Sequence, residues 1–165
     1  MTQAELVEML QNRPLLLDGA TGTHLQAAGL PTGMSPEAWV LDNPDVLRNL
    51  QHAYYQAGSQ IVLTFTFGGN RPKLTSQFAP EPDVSAINHK LAEISTGLRD
   101  DLKKKNPSCS LLVAGDIGPT GHFLYPAGDL TLSTMVGIYR EQVRGLLAAG
   151  RSEEHTSELQ SRHNL

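Results

Sequence analysis

Two short stretches pair a carboxylate with a glycine turn directly after an apolar run. Asp18-Gly19-Ala20 follows Leu15-Leu16-Leu17, and Asp116-Ile117-Gly118-Pro119-Thr120-Gly121 follows Leu111-Leu112-Val113-Ala114. Between them, Thr64-Phe65-Thr66-Phe67-Gly68-Gly69-Asn70 closes a third apolar run that begins at Gln60. A carboxylate in such a place can hold an ammonium or move a proton. Glycine beside it lets backbone N–H groups approach an anion. A phosphate loop is excluded, because the stretch GATGTH has no lysine and lacks the GxxxxGK[ST] spacing. Metal chemistry has little to draw on. Cys109 is the only cysteine, and the histidines at 24, 52, 89, 122, 155 and 163 show no ligand spacing. His122 and Tyr125 read as exposed loop residues.

The elements that position these turns follow from periodicity. The three apolar runs have strand length. Helix-length segments with apolar spacings of three and four separate them: Pro44 to Ala57, Val84 to Lys104 and Leu132 to Ala149. Asp42 or Asn43 caps the first of these, with Pro44 in its first turn and Gly58 beyond its end. Met1 to Gln11 reads as a further amphipathic helix. Alternation of this kind predicts parallel βα units, with the strands near 15–17, 61–65 and 111–114 side by side. Three units are present, whereas a closed (β/α)8 barrel takes eight and about 250 residues. The strand ends that carry both aspartates would form one face. In the TFTF run, either the threonines or the phenylalanines face inward.

Composition sets the outer bounds. The chain has 165 residues, of which 39% are hydrophobic and 18% charged, with a formal net charge of -4. The one run of like charge, Lys103-Lys104-Lys105, falls at a helix C-terminus, where cations suit the dipole. Neither nucleic acid nor an anionic membrane is indicated as a partner. No apolar run approaches the roughly 20 residues of a membrane span. A single cysteine excludes an internal disulfide, and a cytoplasmic location is expected. From Arg151 to Leu165 the pattern stops. The string RSEEHTSELQS resembles the translation of a sequencing-library adapter, so residues 151–165 are expected to be irregular and foreign to the domain of residues 1–150.

Four segments in order, LLLDGATGTHLQ, PEAWVLDNPD, AGSQIVLTFTFGGNRPKL and VAGDIGPTG, resemble the homocysteine S-methyltransferase family from Pro14 to Gly150. That family includes betaine- and S-methylmethionine-dependent enzymes and the N-terminal module of cobalamin-dependent methionine synthase. The resemblance implies an α/β fold, the N-terminal portion of a (β/α)8 TIM barrel. It implies methyl transfer to the sulfur of homocysteine, with Asp18, Gly19, Ala20, Thr66, Phe67, Asn70 and Asp116 as substrate-binding residues. Asp18 with its glycine then fits the zwitterionic end of an amino acid. Betaine-dependent relatives place an aromatic residue after TFTF, where a cation–π contact can hold a quaternary ammonium. Gly68 stands there in this chain, which points toward S-methylmethionine or methyl-folate and cobalamin as donor. The family holds zinc with three cysteines, one late in the barrel and an adjacent pair near its end. Zinc ionises a thiol whose ordinary pKa is near 8.5. Those cysteines are absent, so the chain as written is expected to be inactive. Two other readings remain: a different (β/α)8 enzyme using Asp18 and Asp116 as an acid–base pair, or a non-catalytic amino-acid-binding fragment.

Overall fold

The computed structural model describes residues 2–78 and 81–150. The stretch 151–165, expected to be irregular, lies outside the described residues. Seven helices and a two-stranded parallel sheet are described. Helix α1 spans Gln3–Asn12, α2 Gly22–Ala27, α3 Pro36–Asp42 and α4 Pro44–Ala57. Strand β1 is Ile61–Leu63, followed by α5 Arg71–Thr75, α6 Val84–Lys105, β2 Leu112–Ala114 and α7 Leu132–Ala149.

Local chemistry explains the boundaries. Helix α1 opens with a capping box between Thr2 and Glu5. The Ser35 hydroxyl accepts the Ala38 N–H at the start of α3, and Asp83 and Thr131 do the same for α6 and α7. Helix α4 begins with Pro44 in its first turn. It ends at Gly58, whose φ of 110° is costly for a residue with a Cβ. The lysine triplet occupies the last turn of α6.

The strands run parallel, with Ile61, Val62 and Leu63 opposite Leu112, Val113 and Ala114. The first apolar run joins them through one parallel bridge, Leu17 to Ile61. The order is thus residues 15–17, then β1, then β2, as the spacing predicts. All three runs are shorter in regular pairing than expected, for a physical reason. After Asp18 N–H bonds the Ile61 carbonyl, the next ladder donor, Leu63 N–H, bonds the Asp18 carboxylate at 3.1 Å. A side chain replaces a main-chain acceptor there, and the ladder stops. Beyond Leu63, Thr66 N–H turns back onto the Thr64 carbonyl. Residues 64–70 therefore form an irregular segment.

Two apolar clusters hold the assembly. Tyr55, Val62 and Leu98 pack α4, β1 and α6 together, with Leu102, Leu111 and Val113 at the edge. Leu25, Trp39, Val40, Leu47 and Leu91 join α2, α3, α4 and α6. Polar anchors pin the sheet to its helices. Gln51 donates to the Leu63 carbonyl at 2.9 Å, and the Tyr55 hydroxyl donates to the Leu112 carbonyl at 2.7 Å. Burial pushes the Tyr55 phenol up, so it stays a donor well above neutral pH. Tyr55→Phe removes that donor and leaves the rest of the ring packed. It is expected to cost about 1 kcal/mol, read as a shift in the urea midpoint. Among the described residues no helix is long and apolar enough to cross a membrane.

Candidate functional site

Both aspartates stand at the C-terminal ends of the two parallel runs that flank β1, and a cleft of about 330 Å³ opens there. It is lined by Asp18, Gly19, Glu37, Thr64, Phe67 and Asp116, among others. None of its lining residues is a lysine or arginine, so the cleft is acidic.

Asp18 is half-buried, and one of its oxygens accepts from Leu63 N–H. Burial raises its carboxyl above the ordinary carboxylate range, and the nearby charge of Asp116 adds to the rise, while the Leu63 bond opposes it. Asp116 is raised in the same direction, again by burial. Its backbone is tied through both its N–H and its carbonyl to the segment that follows β1. Asp116 N–H donates to the Thr64 hydroxyl at 2.9 Å, and the Thr66 hydroxyl donates to the Asp116 carbonyl at 2.7 Å. The two threonine hydroxyls bond each other at 2.7 Å. Thr64 and Thr66 thus act as a ladder of side chains where the main-chain ladder has ended.

The residues expected to bind substrate divide into two groups. Asp18, Gly19, Phe67 and Asp116 line the cleft. Thr66 and Asn70 do not: both are fully buried and bonded to backbone. Asn70 caps α5 through Lys73 N–H and donates to the Pro119 carbonyl at 3.3 Å. Their polar atoms hold the turns that frame the cleft. Ala20 offers its carbonyl to the Tyr54 hydroxyl at 2.8 Å and lies beside the cleft rather than in its wall. The same Tyr54 hydroxyl would lie 3.1 Å from a Cβ at Gly19, which explains a small residue there. Phe67 is largely exposed, with the Lys73 ammonium 4.9 Å from its ring centre. His122 and Tyr125 are exposed, and neither lines the cleft.

Sequence reasoning passed over Glu37, a buried carboxylate in the cleft wall whose Oε1 accepts from Gly68 N–H at 2.8 Å. It also passed over Asn88 and Gln142, whose amides donate to the carbonyls of Gly69 and Thr66. For Asn88 and Gln142 the only signal was a polar residue at an apolar helical position; for Glu37, whose short helix gave no period, there was none.

The zinc implied by the family resemblance does not fit the residues present. Cys109, the only cysteine, precedes β2 while Asp116 follows it. It lines a separate pocket with His52, Tyr55 and Leu102. Among the described residues no cluster of three or more His, Cys, Asp or Glu could hold a metal ion.

Comparison with known proteins places these features in a family. The family profile described as homocysteine S-methyltransferase matches residues 15–152. The homocysteine S-methyltransferase of Escherichia coli (strain K12) is 28% identical over 163 residues, covering 86% of this chain and 52% of that protein. The methionine synthase of Mycobacterium tuberculosis is 30% identical over 152 residues, covering 88% of this chain and 12% of that protein. The crystal structure of the E. coli homocysteine methyltransferase MmuM in its metallated form superposes with a TM-score of 0.72 at 28% identity, over 88% of this chain and 54% of that one. The chain therefore spans about half the length of the E. coli relative. Because one profile runs through both aspartate turns and the glycine segment between them, the chain belongs to the homocysteine S-methyltransferase family.

Proposed function

We propose that this chain carries the amino-acid-binding part of a homocysteine S-methyltransferase. The cleft between Asp18 and Asp116 takes the zwitterionic end of homocysteine. The observation that carries this reading is the pairing of two half-buried carboxylates on the parallel strand ends that flank β1, with exposed backbone at Gly19. A carboxylate draws in the substrate ammonium, and the turn after Asp18, whose own N–H is spent on the Ile61 carbonyl, brings backbone at Gly19 to the substrate carboxylate. This is the active face of a (β/α)8 barrel, of which the three parallel runs are the opening part. The sulfur of the bound amino acid then attacks the methyl carbon of a donor in line. A C–S bond forms as the donor's bond to that methyl breaks, and the thiol proton is lost to solvent or base. Residues of the cleft bind and orient the nucleophile. S-methylmethionine or a methyl-folate and cobalamin system fits the donor side, since no aromatic residue stands at position 68. The acidic net charge and single cysteine suit a cytoplasmic enzyme of small metabolites.

Titration of the isotope-labelled chain with homocysteine tests the assignment. Amide shifts are expected at 18–20 and 115–118, and homoserine should produce the same pattern because it shares the zwitterion. An amine without the α-carboxylate should bind more weakly. No perturbation at these turns at millimolar homocysteine would remove the reading. The raised carboxyls of Asp18 and Asp116 also suit an acid–base pair. That alternative predicts no preference for α-amino acids.

A further inference from the structure

Thr64 N–H makes the last ladder bond, to the Ala114 carbonyl at 2.9 Å, and beyond it the segment through Asn70 has left the ladder, so its buried backbone groups need partners from elsewhere. Three side chains from three helices supply them. Glu37 of α3 accepts from Gly68 N–H at 2.8 Å, Asn88 of α6 donates to the Gly69 carbonyl at 2.6 Å, and Gln142 of α7 donates to the Thr66 carbonyl at 2.6 Å. Asn88 and Gln142 are fully buried, and Glu37 is 7% exposed. Of the three, Glu37 alone belongs to the cleft wall.

The glycines of the segment are shaped to these partners. A Cβ added at Gly68 would sit 2.1 Å from Glu37 Oε1, and one at Gly69 would sit 2.2 Å from Asn88 Oδ1. The Ser35 hydroxyl lies 3.2 Å from Glu37 Oε2 on the carboxylate's other side, its one proton shared with Gln77 Oε1 at 2.6 Å. Ser35 is also the cap of α3, so the helix start and the carboxylate are fixed together.

We infer that Glu37 is a positioning residue of the cleft. It holds the Phe67–Gly69 backbone against Asn88 and Gln142 and occupies the room that any side chain at position 68 would need. The absence of a side chain at 68 and the presence of a carboxylate at 37 are therefore one feature. The inference deepens the homocysteine reading and rests on it for its binding consequence. Its structural core, the coupling of residues 37 and 68, stands apart from any ligand.

Glu37→Gln, Glu37→Asp, Glu37→Ala, Gly68→Ala and the double variant Glu37→Ala/Gly68→Ala test it in the full 165-residue chain. Homocysteine affinity and the exchange rate of the Gly68 amide are measured by NMR. A carboxamide can accept from Gly68 and donate to Ser35, so Glu37→Gln should bind within about threefold of the parent. Aspartate keeps the charge but falls one methylene short, and it should lose protection at Gly68. Glu37→Ala leaves a buried donor without a partner and should weaken binding about tenfold, with faster Gly68 exchange. Gly68→Ala should do similar harm by displacing the carboxylate. In the double variant the methyl meets no carboxylate, so the two losses should fall well short of adding. Additive losses, or unchanged Gly68 exchange in Glu37→Ala, would overturn the inference. Should Glu37→Ala fail to fold, the pair Glu37→Gln and Glu37→Asp decides: equal impairment in both overturns it. If the parent chain itself ignores homocysteine, the substrate reading fails, while Gly68 exchange in the same variants still judges Glu37.

Discussion

Leu91→Ala is expected to lower the stability of the fold by about 2–5 kcal/mol, measured as a drop in the urea midpoint at unchanged slope. Leu91 lies on α6 with no exposed surface, and it packs with Leu25 of α2, Trp39 and Val40 of α3, and Leu47 of α4. Those helices come from four places in the chain, so no single neighbour can slide in to refill the space. The cost therefore combines lost transfer energy with an unfilled cavity. Against a typical total of about 5–15 kcal/mol, such a loss threatens the folded state itself. Leu147 on α7 supplies the control. It is 56% exposed, and its truncation should stay within about 0.5 kcal/mol. Equal shifts in the two variants would show that the Leu91 cluster is not the core. The cluster also bears on the cleft, because α3 carries Glu37 on the same short helix that buries Trp39 and Val40.

How far the sequence reached depended on element length. Helix α4 has the bounds that its apolar spacing and flanking Pro44 and Gly58 predict, and α7 likewise runs Leu132–Ala149. Helix α6 is one residue longer than read, ending at Lys105. Helices α2, α3 and α5 escaped, since five to seven residues are too few for the 3.6-residue period to show. The strands were located in order and direction, yet their regular pairing is three residues at most, because Asp18, Thr64 and Thr66 bring side chains into the ladder. In the cleft, residue type at a strand end was enough to find Asp18 and Asp116. It was not enough for Thr66 and Asn70, whose polar atoms turn to backbone partners that only the folded chain brings near. Glu37 could not be read, since its helix α3 escaped and its partner Gly68 lies 31 residues away, beyond α4 and β1 in an irregular segment.

Asp18→Asn is expected to weaken homocysteine binding on the order of 10- to 100-fold, the range for losing a hydrogen bond to a charged group. The same substitution should make the folded chain more stable at neutral pH. The two effects have one origin. Burial, with the charge of Asp116 added, raises the Asp18 carboxyl above its ordinary value of 3.8. The folded state therefore disfavours the ionised form relative to the unfolded chain. A carboxyl shifted upward contributes stability that is fully present below the unfolded value and is lost as pH rises through the folded value. At pH 7 the penalty is complete, and asparagine removes it. Asparagine also keeps an oxygen for Leu63 N–H, so the 18–20 turn should hold its shape. Stabilities of parent and variant should converge as pH falls below about 4. Binding should follow the opposite course: parent affinity climbs as Asp18 ionises, and the variant stays flat over that window. Denaturation midpoints and homocysteine titrations at matched pH values measure both. A variant less stable than the parent at pH 7 would show that Asp18 serves the fold first. A variant as tight as the parent would move the ammonium away from this carboxylate. Loss of affinity together with gain of stability is what a site maintained at the expense of the fold must show.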